Sequence, residues 1–209
     1  MKHIRAIALM MMGLSVSACA SVDTATRNAP LEAQSRQQMA AAPLDVKIVG
    51  YTIVAPENLR VSEANMYYPL GDVVWREDAP GNRLRQIEAI FKTAFERGTE
   101  QVKGSVPVVA QIEIKRFHAL TEKARYTIGG VHSLKFIMTL TDPATGAVVA
   151  PARLIEADLE AYGGAKAIYH ENHGITQKVR ITEHLAKVFH KELTEPTRPE
   201  PEKTAAIQN

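Results

Sequence analysis

One short segment of this chain has the residue types of a metal site. The run His170-Glu171-Asn172-His173 carries two imidazoles and a carboxylate within about one helical turn. Zinc accepts both ligand types, and histidines three residues apart can share one face of a helix. No third and fourth ligand stand at a metal-site spacing, and a predicted helix begins just after the run. A metal site and a solvated helix start are therefore the alternatives, and we expect no metal.

A second segment, from Phe117 to Ser133, concentrates polar side chains around Gly129-Gly130. The side chains that could converge on an anion or form an acid/base site are His118, Glu122, Lys123, Arg125, Tyr126 and His132. No spacing rule ties these residues together. The alternative is a polar hairpin tip in which the two glycines supply positive φ angles.

Six aromatic side chains with a polar tip stand in predicted loops. They are Tyr67, Tyr68, Trp75, Tyr126, Tyr162 and Tyr169. Such side chains offer a large contact area at a small entropic cost, so they can bind a partner, or they can anchor a loop to its own domain. Residues 63–76 form a long aromatic loop. The candidate partner contacts are therefore Tyr67, Tyr68, Trp75 and Tyr126.

The single cysteine, Cys19, follows a basic start, an apolar run over residues 6–16 and two small residues. This order is typical of an export signal, and the run is shorter than the roughly 20 apolar residues of a membrane span. The position resembles the lipobox of bacterial lipoproteins, which implies that the Cys19 thiol is lipidated and becomes the mature N-terminus. In that resemblance, Ala20 in place of an aspartate favours the outer membrane. The alternative is an ordinary secretory signal, because residues 18–20 also have the small-x-small form of a cleavage site.

The 209-residue chain divides by composition into four parts. We predict a signal peptide over 1–18, a lipid-anchored flexible tether over 19–43, a single α+β domain over 44–194 and a disordered proline-rich tail over 195–209. Without the two basic residues of the signal, 23 basic side chains balance 23 acidic ones. A neutral chain lacks the basic footprint of nucleic-acid binding, so we expect no nucleic-acid partner. With its thiol lipidated, the chain can form neither an internal disulfide nor a cysteine metal site.

Hydrophobic periodicity predicts the elements of the domain. Helices are predicted over 82–99 and 175–193, each with one apolar face, and the five phenylalanines all fall within predicted elements. Strands are predicted over 44–54, 106–117, 131–141 and 148–159, and the last three form an antiparallel meander. The order β-α-β-β-β-α predicts an α+β two-layer sandwich. In it, a four-stranded, mainly antiparallel sheet carries two helices on one face.

Two longer runs carry a resemblance to a known group of proteins. They are MYYPLGDVVWR over 66–76 and RFHALTEKARYTIGGVH over 116–132. These runs resemble an uncharacterised bacterial lipoprotein family, a domain of unknown function, and the resemblance implies no catalytic residue. The order of elements is similar to that of transport-accessory and envelope-assembly lipoproteins, which concerns architecture alone.

These observations predict a lipid-anchored lipoprotein of the bacterial cell envelope, at the outer membrane and facing the periplasm. The chain has no phosphate-binding glycine loop, nucleophile elbow, zinc-protease helix or dinucleotide fingerprint, so we expect neither an enzyme nor a cofactor. We expect a binding or assembly/transport accessory domain that contacts an envelope protein complex. One alternative is a carrier of a lipid or small apolar ligand held between sheet and helices. Another is a hydrolase or metal-dependent enzyme that uses the two histidine-bearing segments.

Overall fold

A computed structural model of the protein describes residues 44–195. The predicted signal peptide, Cys19, the tether over 19–43 and the tail beyond residue 195 lie outside the described residues. Among the helices of the described range, none is long and apolar enough to cross a membrane.

The described residues form a mixed α+β domain with one open sheet of six strands and with four helices. The strands are β1 (Val46–Val54), β2 (Val73–Val74), β3 (Val106–His118), β4 (Gly130–Thr141), β5 (Val148–Glu156) and β6 (Leu159–Ala161). The helices are α1 (Arg83–Thr99), α2 (Glu122–Arg125), α3 (Gly164–Asn172) and α4 (Gln177–Thr194). The α+β class is confirmed, whereas the predicted four-strand layout is not. The added strands β2 and β6 have two and three residues, too few to show an alternating pattern.

The sheet has the strand order β1-β3-β4-β5, with β2 paired to β3 and β6 paired to β4. The meander β3-β4-β5 is antiparallel, as the pattern predicts. Strand β1 instead runs parallel to β3, so a crossover must connect them, and α1 lies within that connection. Val46 lies opposite Val106 at the beginning of β3, and Val73 of β2 lies opposite Phe117 near its end. These positions on β3 are eleven residue steps apart, which separates the two ends of the sheet by about 35 Å.

A register shift in β3 decides which way its last residues face. The shift falls between Ile114 and Arg116. Because side chains alternate along a strand, Phe117 would otherwise point away from the core side that Ile114 faces. The shift turns the Phe117 ring inward, where it is fully buried.

Aromatic rings fill the space between the sheet and the two long helices. All five phenylalanines, which fall within predicted elements, are fully buried. The Phe189 ring of α4 lies 5.1 Å from Phe95 of α1 and 5.0 Å from Phe136 of β4, and Phe91 lies 5.4 Å from Phe136. Edge-on and tilted pairs at such distances stabilise a core beyond the area that they bury.

Helices α1 and α4 approach each other most closely at a glycine. A Cβ placed on Gly98 of α1 would clash with the backbone carbonyl of Ala186 and lie 3.1 Å from the Phe189 Cβ. Helix α1 begins after Asn82, whose side-chain oxygen accepts a hydrogen bond from the Arg85 amide at 3.0 Å, as expected of an N-cap. The predicted helix start is therefore confirmed.

The outer strand β5 is irregular along its length. Its pairing with β4 shifts register on both sides of Leu140, and the exposed Pro151 stands within it. Between β5 and β6, the Asp158 carboxylate accepts the Leu134 amide at 2.9 Å, where a neighbouring strand would offer a carbonyl. The other outer strand, β1, has a register shift between Ile48 and Gly50.

Candidate binding site around helix α2

Trp75 is a core residue and not a surface contact. Its side chain is fully buried and packs edge-on against Phe117 at 5.5 Å between ring centroids. Its indole N–H donates to the Asp78 carboxylate at 2.8 Å. The prediction that Trp75 contacts a partner is therefore wrong. It rested on reading residues 63–76 as one loop, whereas the short strand β2 places the next residue inside the domain.

The other aromatic residues of that loop lie at the surface, in what we call the apolar segment, residues 65–70. Tyr68 is 79% exposed and Leu70 is 88% exposed. Met66 and Tyr67 are also exposed, at 48% and 39%. Single exposed hydrophobic residues are ordinary, but four within five consecutive residues form a contiguous patch.

Hydrogen bonds to residues around α2 fix the apolar segment in place. The Thr121 hydroxyl donates to the Met66 carbonyl oxygen at 2.8 Å, and the Lys123 amide donates to Asn65 Oδ1 at 2.9 Å. Lys123 Nζ also lies 4.7 Å from the centroid of the Tyr67 ring. Farther along, the His118 Nε2 lies 2.9 Å from the Pro69 carbonyl oxygen, which requires a protonated Nε2 as donor. These hydrogen bonds fix the backbone of the segment, and the fixed backbone directs the apolar side chains outward.

A cluster of ion pairs supports the base of the segment. The buried Arg83 contacts Glu63 at 2.6 Å, and the hydrogen bond from Arg83 lowers the pKa of the Glu63 carboxyl. Arg76 contacts Glu122 of α2 at 2.6 Å. Burial of Glu122 opposes its ionisation, but the Arg76 hydrogen bond, a backbone hydrogen bond and the charges of Arg76 and Arg125 together outweigh this, so its pKa lies below the usual range. Both carboxylates are therefore charged at neutral pH, and they join the loop to α1 and α2.

Tyr126 lies beside a second feature, a polar pocket, because its hydroxyl contacts two residues that line this pocket. The residue follows α2 and is 44% exposed. Its hydroxyl donates to Glu171 Oε2 at 3.1 Å and accepts from Arg125 Nη2 at 3.2 Å. Tyr126 therefore keeps an exposed ring edge while its polar tip is held, which leaves its predicted role as a partner contact open.

The polar pocket lies between α2, β4, α3 and the beginning of α4, and it has room for about one water-sized group. The side chains that matter for its chemistry are Arg125, His132, Tyr162, His170, Glu171 and Arg180. Arg125 is held by two carboxylates, each at 3.1 Å, from Glu77 and Glu171. The Glu77 carboxylate also accepts the Lys178 amide at 3.2 Å in the first turn of α4, so it ties α2 to α4.

His132 is the unusual member of this pocket. The side chain is 1% exposed, and neither ring nitrogen has a hydrogen-bond partner among residues 44–195. Burial lowers the pKa of His132 to about 3, and the positive charges of Arg180 and Arg125 add to that effect. The imidazole is therefore neutral at pH 7. Arg125 Nε, His170 Nδ1 and Gln177 Oε1 are also buried without a partner in the described part of the chain.

The structure brings part of each histidine-bearing segment together. His132 of the first and His170 of the second line the same pocket. His118 binds the apolar segment instead, and the exposed His173 ring lies 2.7 Å from the Tyr169 carbonyl oxygen. Among residues 44–195, no cluster of three or more histidine, cysteine or acidic side chains could hold a metal ion.

The local structure of both segments differs from the prediction in one respect each. His170 to Asn172 end the extra helix α3 and do not begin α4. Helix α3 starts after Gly163, which provides no side-chain cap, so the usual start signal is missing. In the other segment Gly129 and Gly130 have φ angles of 72° and 154°, as predicted, but a four-residue helix, α2, precedes them.

Comparison with known proteins gives a family and no function. The model of a family of unknown function, DUF6778, matches residues 46–209. No curated protein matches the chain significantly. A Xanthomonas campestris protein of the DUF330 family is 12% identical, with a TM-score of 0.41 over 73% of this chain and 86% of that one. A Caulobacter crescentus protein provisionally described as a lipoprotein is 13% identical, with a TM-score of 0.32 over 51% of this chain and 79% of that one.

Proposed function

Because the chain belongs to the DUF6778 family of unknown function, membership supplies no activity, and we propose that the protein is a lipid-anchored envelope lipoprotein that binds a protein partner. The resemblance of residues 66–76 and 116–132 to an uncharacterised family is confirmed by this membership. In this proposal the protein is not an enzyme and acts as an accessory to transport or assembly in the envelope.

The proposed anchor rests on the sequence. Cys19 follows a basic start, a short apolar run and small residues, and it is the only thiol of the chain. Two or more acyl chains on such a residue hold a protein stably on a membrane. The following residues, 19–43, have a root-mean-square reach of roughly 25 Å if flexible, which would hold the domain clear of lipid headgroups. We place the anchor at the outer membrane, facing the periplasm.

The observation that carries the proposed binding role is the outward, fixed apolar segment. Burying one large apolar side chain stabilises a complex by about 1.5–3 kcal/mol. Because Tyr68 and Leu70 are mostly exposed in the free domain, most of this free energy would be gained when a partner covers them. A mobile loop would lose conformational entropy on binding, but the hydrogen bonds from Thr121 and Lys123 already hold this segment. A preformed apolar patch of this kind is typical of an interaction surface.

The position of the apolar segment favours a protein partner over the lipid surface. The described residues begin at Leu44, just before β1, whose first residue Val46 lies opposite the beginning of β3. The apolar segment is bound to residues just past the end of β3, about 35 Å away along the sheet. A domain tethered through Leu44 would therefore present Tyr68 and Leu70 at the end remote from its anchor.

Photocrosslinking in intact cells tests this function. A photoreactive phenylalanine analogue at Tyr68 or Leu70 should capture a discrete envelope protein, whereas the same analogue at the exposed Leu154 of β5 should not. In the same cells Cys19→Ser should release the protein from the membrane fraction. Equal capture from all three positions would argue against a specific surface. A Cys19→Ser protein that is still acylated and membrane-bound would overturn the anchor.

The two alternative functions receive less support. A carrier of an apolar ligand needs space between sheet and helices, where Phe91, Phe136 and Phe189 pack against one another. An enzyme of the predicted kind would need the histidines of both segments at one site, whereas His118 holds the apolar segment and His173 lies exposed at the surface. We therefore keep the binding role as the proposal.

A further inference from the structure

The polar pocket around His132 has a chemistry that the proposed partner surface does not use. We propose that this pocket binds the carboxylate group of a small organic acid. The proposal is independent of the protein partner, since no residue of the apolar segment lines this pocket.

The first argument is the set of buried polar atoms without partners. His132 is 1% exposed, and whichever tautomer it adopts, one ring nitrogen is an N–H donor and the other is an acceptor. Arg125 Nε carries a hydrogen and can only donate, and it too is buried without an acceptor among the described residues. Burying such groups unpaired is costly, so native proteins keep them where a ligand or water completes them. The His132 and Arg125 donors both lack an acceptor inside this pocket. Two acceptors of the pocket, Gln177 Oε1 and Glu171 Oε1, also lack a hydrogen bond, although Glu171 Oε1 lies 3.1 Å from Arg125 Nη1 in an ion pair.

The second argument is charge. Arg125 faces two carboxylates, Glu77 and Glu171, so it brings no excess positive charge to the pocket. Arg180, by contrast, donates to the uncharged carbonyl oxygen of Glu160 at 2.7 Å, and no described carboxylate lies within ion-pair distance of it. Its guanidinium carbon lies 3.5 Å from the centroid of the Tyr162 ring at the pocket. The pKa of His132 is lowered mainly by burial, and the charges of Arg180 and Arg125 lower it further.

The beginning of α4 adds to this field. Gln177, the first residue of α4, lines the pocket, and the N-terminal end of a helix carries partial positive charge. Lys166 Nζ lies 3.7 Å from the Tyr162 centroid and brings a further cation to the mouth, although it also lies 3.5 Å from Glu160. An anionic group is therefore favoured over a neutral one.

The third argument is size. The pocket admits about one water-sized group, which suits a single carboxylate oxygen and is too small for a tetrahedral phosphate or sulfate. The remainder of the acid would lie at the mouth, where the 40% exposed Ile175 offers apolar surface. The site thus fits a short aliphatic or aromatic monocarboxylate.

Titration of the full-length chain with butyrate tests the proposal, with butyramide as the neutral control, inorganic phosphate as the size control and ionic strength held constant with chloride. We expect saturable binding of butyrate, with shifts of the His132 ring ¹⁵N resonances and smaller shifts for His173. Butyramide and phosphate should bind at least tenfold more weakly.

Variants make the test specific. His132→Leu fills the pocket with an apolar side chain of similar size, and Arg180→Gln removes the cation at the mouth; each should weaken butyrate binding at least tenfold. His173→Gln, outside the pocket, should bind as the wild type does. The proposal is overturned if butyrate acts no differently from chloride or butyramide, if His132→Leu binds butyrate as well as the wild type, or if a structure at saturating butyrate shows a water molecule alone beside His132. None of these results bears on crosslinking from Tyr68.

Discussion

The hydroxyl of Thr121 serves two partners at once: it accepts the Ala124 amide at 3.2 Å as the N-cap of α2, and it donates to the Met66 carbonyl oxygen at 2.8 Å. One oxygen therefore begins the short helix and holds the apolar segment. A helix of four residues has little stability of its own, so its form depends on such contacts.

Replacing Thr121 by valine should loosen the apolar segment. The valine keeps the branched shape but removes both hydrogen bonds, so we expect a loss of about 1–2 kcal/mol in the free energy of unfolding. Urea denaturation measures this loss, and amide exchange should speed up at residues 66–70. Thr121→Ser keeps the hydroxyl and should behave like the wild type. Unchanged exchange in the valine variant would show that the segment is held by other contacts.

Gly98 is predicted to tolerate no side chain. In an isolated helix, alanine is favoured over glycine by up to about 1 kcal/mol. Here the added Cβ would strike the Ala186 carbonyl and push α1 away from α4, so Gly98→Ala should destabilise the fold by about 1–3 kcal/mol. The comparison is Arg97→Ala, a change at the neighbouring exposed position, which should have little effect. A stabilised Gly98→Ala protein would show that the two helices are less closely packed.

The buried His132 should make the fold sensitive to mild acid. Its pKa falls from 6.5 to about 3 on folding, so the unfolded state binds the proton more readily. Stability from this group is therefore complete above pH 6.5 and declines as pH falls toward 3, by up to about 1.4 kcal/mol per pH unit. His184, whose pKa burial also lowers, adds to the decline in the same direction.

Unfolding measured between pH 7 and pH 5 checks this expectation, because above pH 5 the carboxylates have little effect. His132→Leu should flatten the pH dependence in that window and raise stability at pH 5, whereas His173→Gln should leave the slope unchanged. If the leucine variant keeps the wild-type slope, His132 is not buried as described.

Trp75 is the only tryptophan of the chain, which makes its burial measurable without substitution. We expect blue-shifted fluorescence emission, little quenching by iodide and a large red shift on unfolding, because the indole is fully buried and bonded to Asp78. Emission typical of a solvated indole would instead show that Trp75 lies at the surface. Trp75→Phe should leave a core defect and remove the indole donor from Asp78, which keeps its ion pair with Lys178, with a loss of about 1–3 kcal/mol.

The long elements could be predicted because burial and period agree in them. The apolar faces of α1 and α4 and the alternation in β3 and β4 follow from residues such as Ile87, Leu185, Ile112 and Phe136. Shorter elements could not, because β2 has two residues and α3 begins at a glycine without a cap. The inward direction of Phe117 could not be predicted from strict alternation, because it depends on the register shift between Ile114 and Arg116.

The site could be predicted in part. Exposed Tyr67 and Tyr68 fit a loop that can contact a partner, whereas Trp75, in the same loop, is buried because β2 joins the sheet. That His132 and His170 line one pocket could not be predicted from the sequence, because it depends on α3 lying beside the beginning of β4. A signal was nevertheless present: His132 begins the alternating pattern of β4 on its inward side, where Leu134 and Phe136 follow.

The irregular outer strand β5 has a consequence for how copies of this protein behave when crowded. Tethered proteins meet one another at high local concentration, and an open sheet edge invites edge-to-edge pairing and fibril growth. Pro151 removes a backbone donor from that edge, and the register shifts beside Leu140 keep it from presenting a regular ladder. Pro151 and the register shifts of β5 thus protect the domain against self-association.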